Sequence, residues 1–388
     1  MLVAQIEEII RRVGPRPAGS AAELAAQQVL QARLLHSTDA VQVEAFEAPL
    51  TAKFTKMKWC GLLFMIGLAL YWFSPIAAMV LGWLNAVVVV ADLMRNDGVA
   101  DFLFKKHTSW NLSATLEPQD EVRQTILITG HIDSTHECQW WYRWKQWGIQ
   151  CTVMNGVLIV LWPLFLVWFL LAEKYAPGSL FLANGVYLMF LLLSPAMVVY
   201  LSFHNDTVVP GACDNLSGIV IALNVFEQLR DKSKPGFSML PHTRIRFVSF
   251  GAEERGLRGS SAYVRKHTTA LQSENVFVVN VDSVRLEEKV CLLTGEWMSG
   301  AFYDKKMTEQ IQDAFKTQGY PCEKAPLPFG ATDAVPFARQ GFRAVSIIGI
   351  DMKKLDETYH TRLDQPERLS EKALQNVVDA LVLWARKL

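Results

Sequence analysis

The sequence predicts an α/β fold, with a mostly parallel mixed sheet, helices on both faces and two inserted transmembrane helical hairpins. Three observations support this prediction. Short apolar runs rich in β-branched residues alternate with stretches of helical periodicity. Two long and almost uncharged blocks interrupt the alternation. Histidine and acidic residues follow several apolar runs, which is where sites form in open α/β sheets.

The helices are predicted from periodicity and capping signals. Residues 6–13 begin a helix that a Gly-Pro pair ends. Ser20 and Glu23 have the spacing of a capping box, which predicts a second helix through Leu35. Two further segments have helical periodicity: 215–229 and 371–388.

The strands are predicted from alternation and from continuous apolar runs. Val41–Ala48 alternates like an edge strand, and Trp110–Leu116 is its expected partner. Continuous apolar runs of four to eight residues are typical of buried parallel strands. Four runs have this character: Thr125–Thr129, Ile245–Phe250, Val276–Val281 and Ala344–Ile348.

The two hydrophobic blocks are too long for single spans, because one span needs about 20 residues. The first, 59–94, is broken at Ser74-Pro75, and its first arm is short enough to be re-entrant instead. The second, 151–203, is broken at Glu173-Lys174. Together they predict about four spans, and the tryptophan-rich stretch 140–147 before the second block is typical of a membrane interface.

Charge predicts orientation and excludes one class of partner. Lysines and arginines flank the hairpins, whereas the second hairpin's loop carries only Lys174, so we expect an integral membrane protein with its catalytic domain in the cytoplasm. Basic and acidic residues number 38 each, and this balance gives no indication of nucleic-acid binding. The six scattered cysteines are expected to be reduced thiols.

Five short motifs carry the candidate chemistry. Each has an ordinary structural explanation by itself; Asp214, for example, could simply cap a helix. Five such motifs in one α/β chain predict a common site. They are Gly130-His131-Ile132-Asp133, Cys213-Asp214-Asn215, Ala252-Glu253-Glu254, Val281-Asp282-Ser283 and Tyr359-His360-Thr361.

These motifs resemble those of the co-catalytic zinc metallopeptidases typified by bacterial leucyl aminopeptidase and aminopeptidase Y. The resemblance covers roughly residues 1–50, 108–137 and 205–388, and leaves both hydrophobic blocks outside. Gly14–Ser20 resembles the family's N-terminal entry, and Ala331–Phe337 resembles its late substrate-side loop.

The resemblance implies two Zn²⁺ ions, although the mixed N/O ligands leave Co²⁺ or Mn²⁺ open. It implies that a water held by both ions attacks the peptide carbonyl, with one glutamate as general base. The implied ligands are His131 and Asp282 for one ion, His360 and Glu254 for the other, and Asp214 bridging both. The implied catalytic residues are Glu253 as the base and Asp133, which orients His131.

The sequence therefore predicts a membrane-bound metallo-exopeptidase, with an aminopeptidase favoured. A glutaminyl cyclase-like enzyme with one zinc and a non-catalytic membrane scaffold on a peptidase fold are the alternatives. Expected partners are the lipid bilayer and peptides, including hydrophobic ones at the interface, and an oligomer stays open. The predicted domains are 1–56 (N-terminal part of the peptidase domain), 57–94 (first hydrophobic hairpin), 95–150 (peptidase domain continued), 151–203 (second transmembrane hairpin) and 204–388 (C-terminal part of the peptidase domain).

Overall fold

The chain forms two compact units in a computed structural model that describes residues 1–351, 354 and 356–388. The first unit, here the sheet unit, comprises residues 1–50, 106–137 and 207–388. The second, here the hydrophobic unit, comprises residues 51–105 and 138–206.

Strands and helices alternate along most of the chain. The strands are β1 Val41–Ala48, β2 His107–Leu116, β3 Gln124–His131, β4 His136–Cys138, β5 His204–Val208, β6 Thr243–Phe250, β7 Val276–Val284, β8 Cys291–Glu296, β9 Ala301–Phe302, β10 Glu323–Leu327 and β11 Arg343–Gly349. The α-helices are α1 Leu2–Val13, α2 Ala21–Leu34, α3 Ala52–Leu70, α4 Pro75–Val88, α5 Gln139–Trp144, α6 Gln146–Tyr175, α7 Leu180–Leu193, α8 Val198–Leu201, α9 Gly218–Gln228, α10 Arg258–Gln272, α11 Lys305–Thr317, α12 Ala334–Arg339 and α13 Glu371–Lys387.

The sheet unit is built on a nine-stranded mixed sheet in the order β1-β2-β6-β3-β7-β11-β8-β10, with β9 paired to β8. The four central strands, β6, β3, β7 and β11, run parallel to one another. The antiparallel pair β1 and β2 lies at one edge. The predicted fold class is confirmed, and all six predicted strands are present.

Both faces of the central sheet are covered by helices. Ile126 and Ile128 belong to an apolar cluster with residues of α1, α2, α9 and α13. Leu127, between them, belongs to a separate cluster with residues of α10 and α12. Because side chains alternate across a strand, each face of β3 packs against its own helical layer. Because helices cover both faces, the sequences of the central strands are continuous apolar runs.

The segments that leave the sheet unit return to it at neighbouring positions. Ala48, the last residue of β1, is the register partner of His107, the first residue of β2. Likewise, the backbone amide of Val209 donates to the carbonyl of Thr135 at 2.9 Å. Residues 51–105 and 138–206, which make up the hydrophobic unit, lie between these paired positions.

The hydrophobic unit is helical. Three helical stretches are long and apolar enough to cross a membrane: Pro75–Met94, Gln146–Tyr175 and Pro177–Leu201. Only 33–44% of the most apolar window of each stretch is buried, so most of these residues are partly or fully exposed. The helix α3 is not among the three, and its first turns carry three lysines. The fourth span therefore stays a prediction.

One detail of the predicted secondary structure differs from the structure. The helix predicted from Asn215 begins as α9 at Gly218, because Asp214 and Asn215 have non-helical backbone angles. The helix α6, which contains the first part of the second hydrophobic block, already starts at Gln146. Elements without long apolar runs, among them β8, β10 and α12, were not predicted.

Candidate metal centre

The five motif segments converge at the carboxyl ends of the central strands. His131 is the last residue of β3, and Asp282 lies near the end of the neighbouring strand β7. Glu253 and Glu254 follow β6, the other neighbour of β3. Parallel strands present their carboxyl ends at one edge, so the sheet brings these side chains together. Asp214, before α9, and His360, after β11, complete the set.

The five predicted ligands form two groups that share one residue. In each group the possible donor atoms lie within 4.8 Å of one another. His131 Nε2 is 3.1 Å from Asp214 Oδ1, and His360 Nε2 is 3.2 Å from Asp214 Oδ2. The first group is His131, Asp214 and Asp282; the second is Asp214, Glu254 and His360. Asp214 thus directs one carboxylate oxygen to each histidine.

The position of Asp214 is fixed by hydrogen bonds to its backbone. The carboxylate of Asp364 accepts from the amides of Cys213 at 2.6 Å and Asp214 at 3.0 Å. The side chain of Asn215 donates to the carbonyl of Val281, the residue before Asp282. The bridging residue is therefore attached to the strand that carries another predicted ligand.

Asp133 connects the first histidine to the turn with the two glutamates. Its oxygens accept from the backbone amides of Glu253 at 3.0 Å and Glu254 at 3.1 Å. One of these oxygens, Oδ1, also lies 3.5 Å from Nδ1 of His131. The ring nitrogen of His131 that faces away from Asp214 is thus directed towards Asp133, the arrangement that orients a ligating histidine.

Burial and mutual repulsion perturb the acidic groups. Burial raises the pKa of Glu254 to about 7 and that of Asp282 to about 6, and the nearby Asp214 carboxylate adds to both shifts. Burial opposes ionisation of Asp214 as well, but hydrogen bonds from both histidines outweigh it and lower its pKa. Burial would lower the pKa of His131, yet surrounding carboxylates, led by Glu253, raise it well above the usual value.

A buried arginine links the loops around the site. Arg16 is fully buried, and its guanidinium donates to the carbonyls of Ile132, Pro210 and Gly211 at 2.8–3.0 Å. Burial lowers its pKa to about 10, although the neighbouring carboxylate of Asp364 opposes this shift. Arg16 therefore fastens the loop after β3 to the loop that leads to Asp214.

Several of these supporting residues were not predicted. Arg16 lies inside the Gly14–Ser20 motif, which could have indicated its role, whereas the sequence gives no comparable signal for Asp364. Cys213 adjoins Asp214 in the sequence. It is buried, and its thiol belongs to neither potential metal group among the described residues.

Comparison with known proteins shows which class of protein part of this chain resembles. The model of "Peptidase family M28" matches residues 193–385, just under half of the chain. This segment contains four of the five predicted ligands, whereas His131 lies before it. Over this segment the chain is similar to the M28 peptidases.

Particular relatives agree with this class. Aminopeptidase YwaD of Bacillus subtilis is 32% identical over 194 residues, which cover 47% of this chain and 39% of YwaD. The chain thus spans about two fifths of that relative. The zinc aminopeptidase BSAP of Bacillus subtilis has a TM-score of 0.58 at 17% identity, covering 100% of this chain and 94% of BSAP. A Porphyromonas gingivalis glutaminyl cyclase has a TM-score of 0.57 at 14% identity, covering 100% and 96%.

The likeness to BSAP and to the cyclase shows a shared fold. The predicted enzyme class, a metallo-exopeptidase with an aminopeptidase favoured, agrees with the M28 match and with YwaD. BSAP itself is a zinc aminopeptidase.

Proposed function

We propose that this chain is a membrane-bound, zinc-dependent aminopeptidase with two metal sites that share Asp214. The observation that carries the proposal is the position of the Asp214 carboxylate, with one oxygen 3.1 Å from His131 and the other 3.2 Å from His360. A carboxylate held between two imidazoles, each with a further carboxylate nearby, suits two ions with three protein ligands each.

The chemistry of these residues fits divalent metal ions. The centre concentrates buried carboxylates, and among the residues that the structure describes, the buried Oε1 of Glu254 has no hydrogen-bond partner. Buried like charges are costly unless a cation compensates them. Imidazole and carboxylate ligands suit zinc, and cobalt or manganese would also be accepted. Metal ions in such a site supply Lewis acidity, which acidifies water and polarises a carbonyl.

Glu253 is the proposed general base. Its Oε2 lies 3.8 Å from Nε2 of His131, so its carboxylate faces the centre without being one of the grouped ligands. It would take the proton of the attacking water and return it to the leaving amine. Asp133 holds the amide of Glu253 and orients His131, and it is the second proposed catalytic residue.

The metal content of the purified full chain tests this function against its alternatives. After saturation with zinc and desalting, we expect two ions per chain by mass spectrometry, together with release of 4-nitroaniline from leucine 4-nitroanilide. One ion per chain with cyclisation of an N-terminal glutaminyl peptide would support the cyclase instead. No bound zinc and no turnover would support a scaffold.

Membrane insertion is proposed from the three apolar stretches and the exposed side chains of the hydrophobic unit. We infer about four spans, with the catalytic domain in the cytoplasm. A single cysteine introduced in the exposed loop at Lys232 should resist an impermeant thiol reagent in intact cells and react after lysis. Ready modification in intact cells would reverse the orientation.

Peptides that partition into the membrane interface are the proposed substrates. This proposal rests on the bilayer as a partner and on the short sequence distance between His131 and the tryptophan-rich stretch 140–147. We expect apolar peptides to be cleaved with a higher kcat/KM in liposomes than polar peptides of equal length. Equal values for both classes, in detergent and in lipid, would count against an interfacial substrate.

A further inference from the structure

The turn that carries the two glutamates is held by side chains along its whole backbone. We call residues 251–254 the glutamate turn. Four successive amides of this turn donate to side-chain oxygens from three different segments of the chain. These bonds are Gly251 to Asn111 Oδ1 (3.1 Å), Ala252 to Glu23 Oε1 (2.9 Å), Glu253 to Asp133 Oδ1 (3.0 Å) and Glu254 to Asp133 Oδ2 (3.1 Å).

Glu23 is the most distant member of this arrangement in sequence. The capping box predicted a local role, and Ser20 does accept the amide of Glu23 at the start of α2. The Glu23 carboxylate, however, is fully buried and accepts from the amides of Gly19 and Ala252 and from the hydroxyl of Ser109. One side chain thus joins the helix start, strand β2 and the glutamate turn.

The turn approaches Glu23 so closely that a side chain is excluded at Gly251. A Cβ atom there would lie 2.7 Å from Oε1 of Glu23 and 2.6 Å from the hydroxyl of Ser109. Glycine at this position therefore allows the carboxylate to reach the amide of the next residue.

The next residue, Ala252, has an unfavourable backbone conformation. Its φ of 53° lies in the left-handed region, which residues with a Cβ rarely adopt. Ala252 directly precedes Glu253, so rotation towards the ordinary φ range would redirect both glutamates. Asp133 holds the two amides that follow Ala252, and Glu23 holds the amide of Ala252 itself, so the peptide groups on both sides of Ala252 are fixed and together oppose this rotation.

We propose that Glu23 is a positioning residue, which holds Ala252 in the left-handed conformation and thereby directs Glu253 and Glu254 into the metal centre. The proposal rests on the proposed function, in which these glutamates act as base and ligand. In the described part of the chain the hydrogen-bond partners of the Glu23 carboxylate are Gly19, Ser109 and Ala252, none of which is a predicted ligand.

The main test is Glu23→Gln in the full chain, assayed with leucine 4-nitroanilide. Glutamine has one acceptor oxygen, so its NH₂ group must face the amide of either Gly19 or Ala252. We expect kcat to fall at least about tenfold, KM to stay within about twofold, and the zinc content at saturation to stay unchanged.

Ser20→Ala is the matched control. It removes the cap at the same helix start without touching the glutamate turn. We expect a lowered thermal midpoint and a kcat within about twofold of the wild type. A kcat loss in Ser20→Ala equal to that in Glu23→Gln would overturn the proposal, because loosening of α2 would then account for both.

A second protein background, the Ala252→Gly variant, separates an effect of Glu23 on positioning from an effect on folding. Glycine adopts φ near 53° without a steric penalty, so Ala252→Gly should lessen the need for Glu23. We expect Glu23→Gln to lower kcat by no more than about threefold when Gly replaces Ala252. An equal or larger loss in this background would overturn the role of Glu23 at Ala252.

The rate of zinc release tests the positioning role of Glu23 separately from the proposed aminopeptidase function. If the wild type binds zinc but cleaves no aminoacyl anilide, the aminopeptidase proposal fails by itself. Glu23→Gln should still release zinc to a chelator at least about threefold faster than wild type, because Glu254 is no longer held in place. Equal release rates would overturn the positioning role, whatever the activity.

Discussion

The carboxylate of Asp364 accepts a hydrogen bond from the backbone amide of Asp214 at 3.0 Å. It also accepts from the preceding amide, that of Cys213, so both of its oxygens are occupied. The residue shared by the two potential metal groups is therefore oriented by an acidic side chain located four residues after His360.

We expect Asp364→Asn to weaken both metal sites. An asparagine can accept only one of the two bonds, and its NH₂ group would face the other amide. Since Asp214 belongs to both groups, zinc affinity should fall about 10–100-fold at both sites, as measured by competition with a chelator. Asp313→Asn, on the exposed side of α11, is the control and should leave the affinity unchanged. Unaltered affinity in Asp364→Asn would contradict this role.

The two adjacent glutamates should respond differently to the same change. We expect Glu253→Gln to lower kcat about 10²–10⁴-fold while the zinc content stays at the wild-type value, because only the base is lost. Glu254→Gln should instead bind less zinc, since Glu254 belongs to the second group. Near-normal turnover in Glu253→Gln would refute the assignment of the base.

The hydrophobic unit contains a buried ion pair that should matter for its stability. Lys56 Nζ lies 2.6 Å from Asp92 and 2.5 Å from Asp101, and only 1% of its side chain is exposed. Lys56→Met leaves the Asp92 carboxylate buried without its cation, which should cost about 3–5 kcal/mol in unfolding free energy. Lys58→Met, at an exposed position two residues away, should change it by less than about 0.5 kcal/mol. Unfolding in mixed micelles would measure both, and equal effects would contradict the prediction.

Glu296 should make stability depend on pH. It is fully buried and accepts from Tyr303 and Thr332, and burial raises its pKa from 4.5 to about 7. A carboxyl group whose pKa is higher in the folded than in the unfolded state stabilises the folded protein fully at pH values below its unfolded-state pKa. This stabilisation is lost as the pH rises through its folded-state pKa. Between about pH 4.5 and 7 the wild type should therefore lose about 3 kcal/mol through this group.

Replacement of Glu296 by glutamine isolates this contribution. Glu296→Gln cannot ionise, so its unfolding free energy should decrease less steeply than that of the wild type over the same pH range. Chemical denaturation of both proteins, stripped of metal and followed at a series of pH values, provides the comparison. Parallel pH profiles would show that Glu296 has an ordinary pKa in the folded protein.

The sequence predicted those features that depend on local pattern. Continuous apolar runs identified the central strands, because strands covered on both faces need apolar residues at every position. The five motifs identified the residues that converge at the strand ends. Glu23 was recognised only as a capping residue, although its carboxylate reaches Ala252, 229 positions away. Asp364 gave no signal, because its partners are backbone amides, which every residue carries.

The chain leaves and re-enters the sheet unit at paired positions, and this pairing determines where the chain could be shortened. Ala48 and His107 face each other in the β1–β2 ladder, and Thr135 is bonded to Val209. The ends of each excursion are already adjacent, so a tight turn could replace either one without lengthening or breaking a strand of the large sheet. Each excursion is therefore an insertion between two adjacent positions of the sheet unit. By the same geometry, deleting both hairpins and closing the turns is a route to a protein of the sheet unit alone.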